Sequence, residues 1–422
     1  MSSMVDGLLV LLGVLLAACS DEQADVPGNS LDAAVDGTEA DATADSASEA
    51  CPTVTPTIAD VVAAGDRRMG VALTLPGDPQ SEQGDTIAWA AAEARALGAG
   101  IVEINIDWAN IEIADGVYVD HEGQLATANA ALAGSDTEIH LNIAPYQTTY
   151  DARPAHLASL DWDDPLLPTA YRDVLSFTLD QLPALEGQVT HVMVGNEVEM
   201  ESPAQWQAYA DFLVSAYSEV KQMYSTRNPG REVTTSVKLA LGYATSSDVA
   251  PWSAALWALG DWVNVTFYPL RDDFEVDLPA VAEPRLEGFF DWVDAQSALG
   301  PTKPVLLSEV GYPTADALQI ADGHDGRCHQ ALFVQSLFSF WDDQAQRIPG
   351  VTFVWLSDLT EAQAEALLIG YGLTEAVLGP QMYFNLRAFF ASLGLLDQRG
   401  VRKAGADQLL AESCARGFAE CL

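Results

Sequence analysis

Short apolar runs alternate with Ala-rich amphipathic stretches along most of the chain, with the spacing of strands followed by helices. Eight runs read as strands, at 69–75, 101–108, 138–145, 189–197, 233–241, 262–268, 304–310 and 351–357. Helix-spaced stretches follow at 85–98, 122–133, 169–182, 203–226, 251–259, 279–299, 327–345 and 380–393. Consecutive parallel strands need a crossover, usually a helix, so eight repeats of this unit predict an α/β fold, a closed (β/α)8 TIM barrel forming a single domain. An open doubly wound sheet would usually place a Gly-rich phosphate turn after its first strand, but Leu75-Pro76-Gly77-Asp78-Pro79 is only a turn. Neither G-x-G-x-x-G nor G-K-[ST] occurs in the chain, so nucleotide binding is not expected and no cofactor is implied.

The amino-terminal residues break this pattern. Leu8 to Ala18 is apolar but too short to span a bilayer comfortably, and it ends Leu16-Ala17-Ala18-Cys19. Residues 20–50 are mostly Asp, Glu, Ala, Ser, Thr and Gly, and such a segment cannot bury enough surface to fold. The expected division is a leader at 1–19, an acidic disordered linker at 20–66, the barrel at 67–410 and a tail at 411–422. With 61 Asp and Glu against 19 Lys and Arg the formal charge is −42, which disfavours nucleic acid and other polyanions as partners. Beyond Cys19 the cysteines are Cys51, Cys328, Cys414 and Cys421, an even number compatible with two disulfides in an exported protein. No Cys-x-x-Cys or His-rich pairing supports metal ligation, so no metal is expected.

In a parallel barrel, functional groups gather at the carboxyl ends of the strands. Here those ends supply Asn105, Asp107 and Trp108 from the second run, Asn142 and Tyr146 from the third, and Asn196-Glu197 from the fourth. The sixth supplies Tyr268, the seventh Glu309, and the eighth Trp355 with Asp358. Amides and carboxylates of this kind take paired sugar hydroxyls, and aromatic faces cover the apolar face of a sugar ring. His140, in the middle of its strand, reads as a hydrogen-bonded core histidine. The long segment from Tyr146 to Asp164 is a candidate for substrate contact.

V-G-N-E at 194–197 followed by S-E-V-G-Y-P at 308–313 resembles the fourth- and seventh-strand motifs of the retaining (β/α)8 glycosidases. That clan includes endo-β-1,4-galactanases, β-1,3-glucanases and cellulases. F-Y-P at 267–269, F-V-W at 353–355 and the closing L-G-L-L-D-Q-R-G-V-R-K-A-G-A at 393–406 are similar to its later signatures, in the same order. The resemblance implies Glu197 as acid/base, Glu309 as nucleophile, Asn196 as partner of a substrate hydroxyl, Tyr268 as a residue positioning Glu309, and Trp355 as the floor of the cleavage subsite. Asn142, Asp107 and Trp108 are further substrate-binding candidates from the strand ends, with packing of the barrel top an equal alternative for Trp108. The arginine carried on strand two in some cellulase-like families is absent, because Glu103-Ile104-Asn105 occupies that strand. The ending Leu-Ala-Ala-Cys19 likewise resembles the lipobox of bacterial lipoprotein signal peptides, which implies cleavage before Cys19, lipidation of its thiol and anchoring to the cell envelope.

The expected protein is thus an exported, lipid-anchored monomer that cleaves a β-linked poly- or oligosaccharide by double displacement, touching the membrane only through its amino-terminal lipid. A surface glycan-binding lipoprotein without turnover, and a transglycosylase acting on an envelope glucan, are the alternatives. Possession of both glutamates argues against the first, and the second uses the same residues with a sugar as acceptor.

Overall fold

A computed structural model describes residues 61–76, 86–271, 274–319 and 325–419. Cys19, Cys51, Cys421 and the expected leader and most of the linker lie outside these residues. The main sheet is wholly parallel. Its strands are β1 Arg68–Val71, β2 Ile101–Asp107, β3 Glu138–Ala144, β4 Val189–Met193, β6 Val263–Phe267, β7 Val305–Val310 and β8 Gly350–Phe353, with β5 in two pieces, Thr234–Ser236 and Lys238–Ala240. The first piece of β5 pairs with β4 and the second with β6, so the interruption at Val237 is where the ring closes. Nine paired segments therefore make eight strands, the (β/α)8 barrel that the alternating pattern predicts.

The crossover helices are α1 Ile87–Ala96, α2 Gln124–Leu132, α3 Leu166–Gln181, α4 Pro203–Arg227, α5 Ala250–Leu259, α6 Ala282–Ala295, α7 Gly326–Asp343 and α8 Pro380–Phe390. Local chemistry fixes where α4 begins: the Ser202 side chain accepts from the Gln205 N–H, and Pro203 occupies the first turn, where no N–H is needed. Trp206, Tyr209, Leu213, Ala216, Val220 and Tyr224 recur at three- and four-residue steps along α4 and are all buried. Hydroxyls on that face and on α3 then tie the helices to strand carbonyls. Tyr209 donates to Val194 at 3.0 Å, Tyr224 to Val189 at 2.6 Å and Tyr171 to Ile143 at 3.0 Å.

The two faces of the sheet differ. Val102 and Ile104 point outward and meet Ile87, Leu125, Ala128 and Leu132 on α1 and α2, so the apolar core occupies the shell between strands and helices. On the same strand Glu103 and Asn105 point inward. His140, Asn142, Lys238, Asn264 and Thr352 are further buried polar residues on the strands.

Several predicted strands overrun their carboxyl ends. The run 189–197 leaves the sheet after Met193, and it does so because Gly195 turns the chain. A helix not read from the pattern, α9 Ala404–Arg416, crosses the expected boundary at 410/411 and packs along α7, so residues 411–416 belong to the body of the barrel. Arg416 reaches Asp342 at 2.7 Å and Glu412 at 2.5 Å, and Arg67 joins Asp342 at 3.0 Å. Asp358 also has a structural role, since its carboxylate takes Lys403 Nζ at 2.6 Å and the Gly394 N–H at 2.8 Å, closing the segment after β8. Cys328 and Cys414 are each disulfide-bonded.

Candidate active site

Gly195 has φ +103°, and a Cβ there would stand 2.3 Å from the Tyr209 hydroxyl and 2.6 Å from Val198 Cγ2. Only glycine satisfies both the backbone and the space. The turn it makes carries Asn196 and Glu197 over the barrel mouth, with Glu197 itself at φ +46°. This left-handed conformation is uncommon for a residue with a side chain, and it is held by the segment after β3. The Asn196 N–H donates to Tyr146 O and the Thr148 N–H donates to Asn196 O, both at 2.9 Å, so residues 146–148 are zipped to the end of β4.

Glu197 is 1% exposed and takes two hydroxyls, Thr266 at 2.6 Å on Oε1 and Thr148 at 3.3 Å on Oε2. Burial, and after it the charge of Glu309, push its carboxyl well above the ordinary glutamate range. Glu309, 2% exposed at the end of β7, has a different set of partners. Lys238 Nζ donates to Oε1 at 2.7 Å and the Tyr268 hydroxyl to Oε2 at 3.0 Å. Burial raises Glu309 to about 7, against the pull of the Lys238 ammonium and with the push of Glu103. The two carboxyls are close enough to repel each other, yet one is solvated by neutral hydroxyls and the other by a cation.

Around them stand polar groups with few protein partners. The side-chain amides of Asn142 and Asn196 are buried and make no hydrogen bond among the described residues, and neither does Trp355 Nε1. Trp355 shares one cavity with Glu309, Ser308, Glu103 and Asn105, and the Val354–Trp355 peptide is cis. Tyr268 is held edge-on against Phe389 of α8 at 5.4 Å. The structure thus brings Asn196, Glu197, Tyr268, Glu309 and Trp355 to one end of the barrel, with Asn142 inside it.

Asp107 stands on the rim, where the Tyr150 hydroxyl donates to it at 2.6 Å and burial raises its carboxyl to about 6. Gln147 and Thr149 bond to Tyr371, so the segments after β3 and β8 touch across this side of the mouth. Trp108 does not belong to the site. It is fully buried, edge-on to Tyr171 at 5.4 Å, and its indole N–H is committed to Glu112 at 2.8 Å, so it packs the outside of the barrel top. His140 is a core residue, as its mid-strand position suggests, but its Nδ1 makes no hydrogen bond among the described residues; burial lowers its pKa to about 3 and keeps it neutral.

Four polar residues of the site escape a reading of strand ends: Glu103, Lys238, Thr148 and Thr266. Lys238 and Thr266 lie within strands, and Thr148 follows β3. The available signal was alternation, since Glu103, Asn105 and Asp107 place polar side chains at every second position of β2. Among the described residues, Glu112, Asp115 and His156 are grouped closely enough to hold a metal, but Glu112 already accepts from Trp108 and from the Gly116 N–H.

No family model matches the chain, and no curated protein matches it. Solved structures do resemble it in fold. A GH5_18 protein from Streptomyces cattleya in complex with GlcNAc superposes with a TM-score of 0.55 at 16% identity, covering 84% of this chain and 81% of that one. A GH5_18 protein from Bifidobacterium longum subsp. infantis gives 0.56 at 15%, covering 84% and 80%. The exo-β-1,4-mannosidase Op5Man5 from an Opitutaceae bacterium gives 0.53 at 14%, covering 85% of this chain and 60% of that one. At these identities the likeness is one of fold, the (β/α)8 barrel shared with glycoside hydrolases.

Proposed function

We propose that the protein is a retaining β-glycosidase in which Glu309 is the nucleophile and Glu197 the acid/base. The observation that carries this reading is the unlike solvation of two buried carboxylates at the ends of β4 and β7. Glu309, beside an ammonium and a phenol, is the easier of the two to ionise. Glu197, beside two hydroxyls and facing the charge of Glu309, is the easier to keep protonated. One environment favours each state that double displacement requires.

In the first step a Glu309 oxygen forms a bond to the anomeric carbon while the glycosidic oxygen departs with the proton of Glu197. In the second, Glu197, now a carboxylate, takes a proton from water as that water displaces Glu309, and both groups return to their starting states. The amides of Asn196 and Asn142 are available for substrate hydroxyls, and the Trp355 indole lines the cavity that contains Glu309. The fold neighbours were solved with GlcNAc and with Manβ1-4GlcNAc, and another is an exo-β-1,4-mannosidase, which supports a β-linked oligosaccharide as substrate.

The proposal includes export and a lipid anchor at Cys19, supported by the sequence Leu16-Ala17-Ala18-Cys19 and the acidic segment after it. The deciding experiment is a panel of β-linked mannan, glucan, galactan and xylan oligosaccharides with the anomer of the first product followed by NMR. Release of the β-anomer by the wild type, and none by Glu309→Gln, supports the reading. An α-anomer from a β-linked substrate overturns retention.

A further inference from the structure

Lys238 is the residue of the barrel interior with the most demanding surroundings. Its side chain has no solvent exposure, and its ammonium lies 2.5 Å from Glu103 Oε1 and 2.7 Å from Glu309 Oε1. Three strands meet through it: β2 supplies Glu103, β5 the lysine and β7 Glu309. A buried ammonium is stable only when compensated, and one carboxylate would suffice. With both carboxylates ionised, one ammonium would leave a surplus negative charge inside the barrel, and burial raises the pKa of Glu103 and of Glu309 against it. That surplus charge needs a reason.

The geometry points to a charge-balancing role, which rests on Glu309 being the nucleophile: Lys238 is a positioning residue that keeps Glu309 aimed and ionised before reaction, and Glu103 takes over the ammonium once Glu309 has lost its charge. When Glu309 bonds to the anomeric carbon its carboxylate becomes a neutral ester. Lys238 and Glu103 then cancel each other, and no unpaired ammonium is left in the low-dielectric interior. Without Glu103 the free enzyme would hold a neutral Lys238–Glu309 pair, too well satisfied to react, and the covalent state would strand the lysine. Glu103 therefore favours the second state over the first, which is the differential stabilisation that raises a rate.

Other groups facing this cluster do not substitute for either partner. Tyr268, just after β6, donates to the other oxygen of Glu309, and Glu197 after β4 repels it. His140 on β3 and His191 on β4 are held neutral by burial, with the Lys238 charge adding to the effect. The charge of Lys238 lowers the pKa of Glu309 and that of Glu103 raises it, so the two substitutions have opposite signs.

The test uses the full chain carrying Glu103→Gln, Lys238→Met or both. Two readouts are followed: the acid limb of kcat/KM, and the Glu309 carboxyl titration by 13C NMR in glutamate-labelled protein, which needs no turnover. Lys238→Met moves both upward by about one unit or more, Glu103→Gln moves both downward, and the double variant lies between. Glu103→Gln also lowers kcat about tenfold while KM changes little. A brace without this role would lower the melting temperature in each variant and leave the Glu309 titration in place, and that result overturns the inference. Should Lys238→Met fail to fold, the downward shift in Glu103→Gln still decides. Shifts of the expected sign in a protein that cleaves no glycoside would keep the charge network and remove the proposed reaction.

Discussion

The hydroxyl of Thr266 donates to Oε1 of Glu197 at 2.6 Å, so a side chain inside β6 sets the orientation of a carboxylate carried past the end of β4. Thr266→Val keeps the shape and removes the donor. Glu197 then loses a bond that favours its charged form, its pKa rises further, and the alkaline limb of activity moves upward. A loss of up to about tenfold in kcat is expected, the worth of one buried hydrogen bond. A pH profile of the variant beside the wild type measures both effects.

Wild-type activity should follow a bell-shaped pH curve. It should fall on the acid side as Glu309, beside the Lys238 ammonium and the Tyr268 hydroxyl, takes up a proton, and on the alkaline side as Glu197, raised by burial and by the charge of Glu309, loses one. Tyr268→Phe removes the 3.0 Å bond to Glu309 and shifts the acid limb upward, with a smaller loss of rate than Glu309→Gln. Glu197→Ala retains turnover of substrates with good leaving groups when azide is added, since azide replaces the water that Glu197 would activate. Rates on an aryl glycoside with and without azide check this.

The raised pKa of Glu197 is also a stability effect. A group that binds its proton more tightly when folded contributes stability in full below its unfolded value of about 4.3 and loses that contribution as pH rises toward the folded value. Glu197→Gln, which cannot ionise, escapes the loss. Its melting temperature should exceed that of the wild type by an amount that grows between about pH 5 and pH 8. A constant difference across that range would show that Glu197 ionises as easily folded as unfolded.

Trp108→Phe should affect folding and leave KM nearly unchanged. The substitution removes the indole N–H that satisfies Glu112, a carboxylate only 2% exposed, and costs about 1–3 kcal/mol of stability. Urea unfolding and substrate titration on the same preparation separate the two effects.

The barrel was legible because its signal is repetitive: eight strand runs and eight helix runs in order, each near the element that forms. Helix α9 was missed because it follows the last repeat, where the alternation stops. The glutamates were legible because each ends an apolar run, whereas the residues that differentiate them were not. Lys238 sits in Ser236-Val237-Lys238-Leu239, where a lone cation in an apolar strand gives no hint of which strands it will face across the barrel. Glu103 lies on a strand that carries no cation, and only the fold shows that its partner ammonium comes from β5. The sequence leaves Trp108 open between substrate contact and barrel-top packing because adjacent positions at a strand end look alike, and the structure decides for packing: Asp107 turns to the mouth and Trp108 to the helices.

The inward and outward faces of the strands divide cohesion from reactivity. Apolar side chains grip the helices on one side of each strand, while the opposite side holds ions, amides and imidazoles that contribute little through exclusion of water. Drift in one volume need not disturb the other. A lineage that exchanged Asn142, Thr266 or Lys238 could alter what is bound or how fast it reacts and keep the same scaffold, whereas a change at Val102 or Leu213 would be felt as fragility before it was felt as altered chemistry.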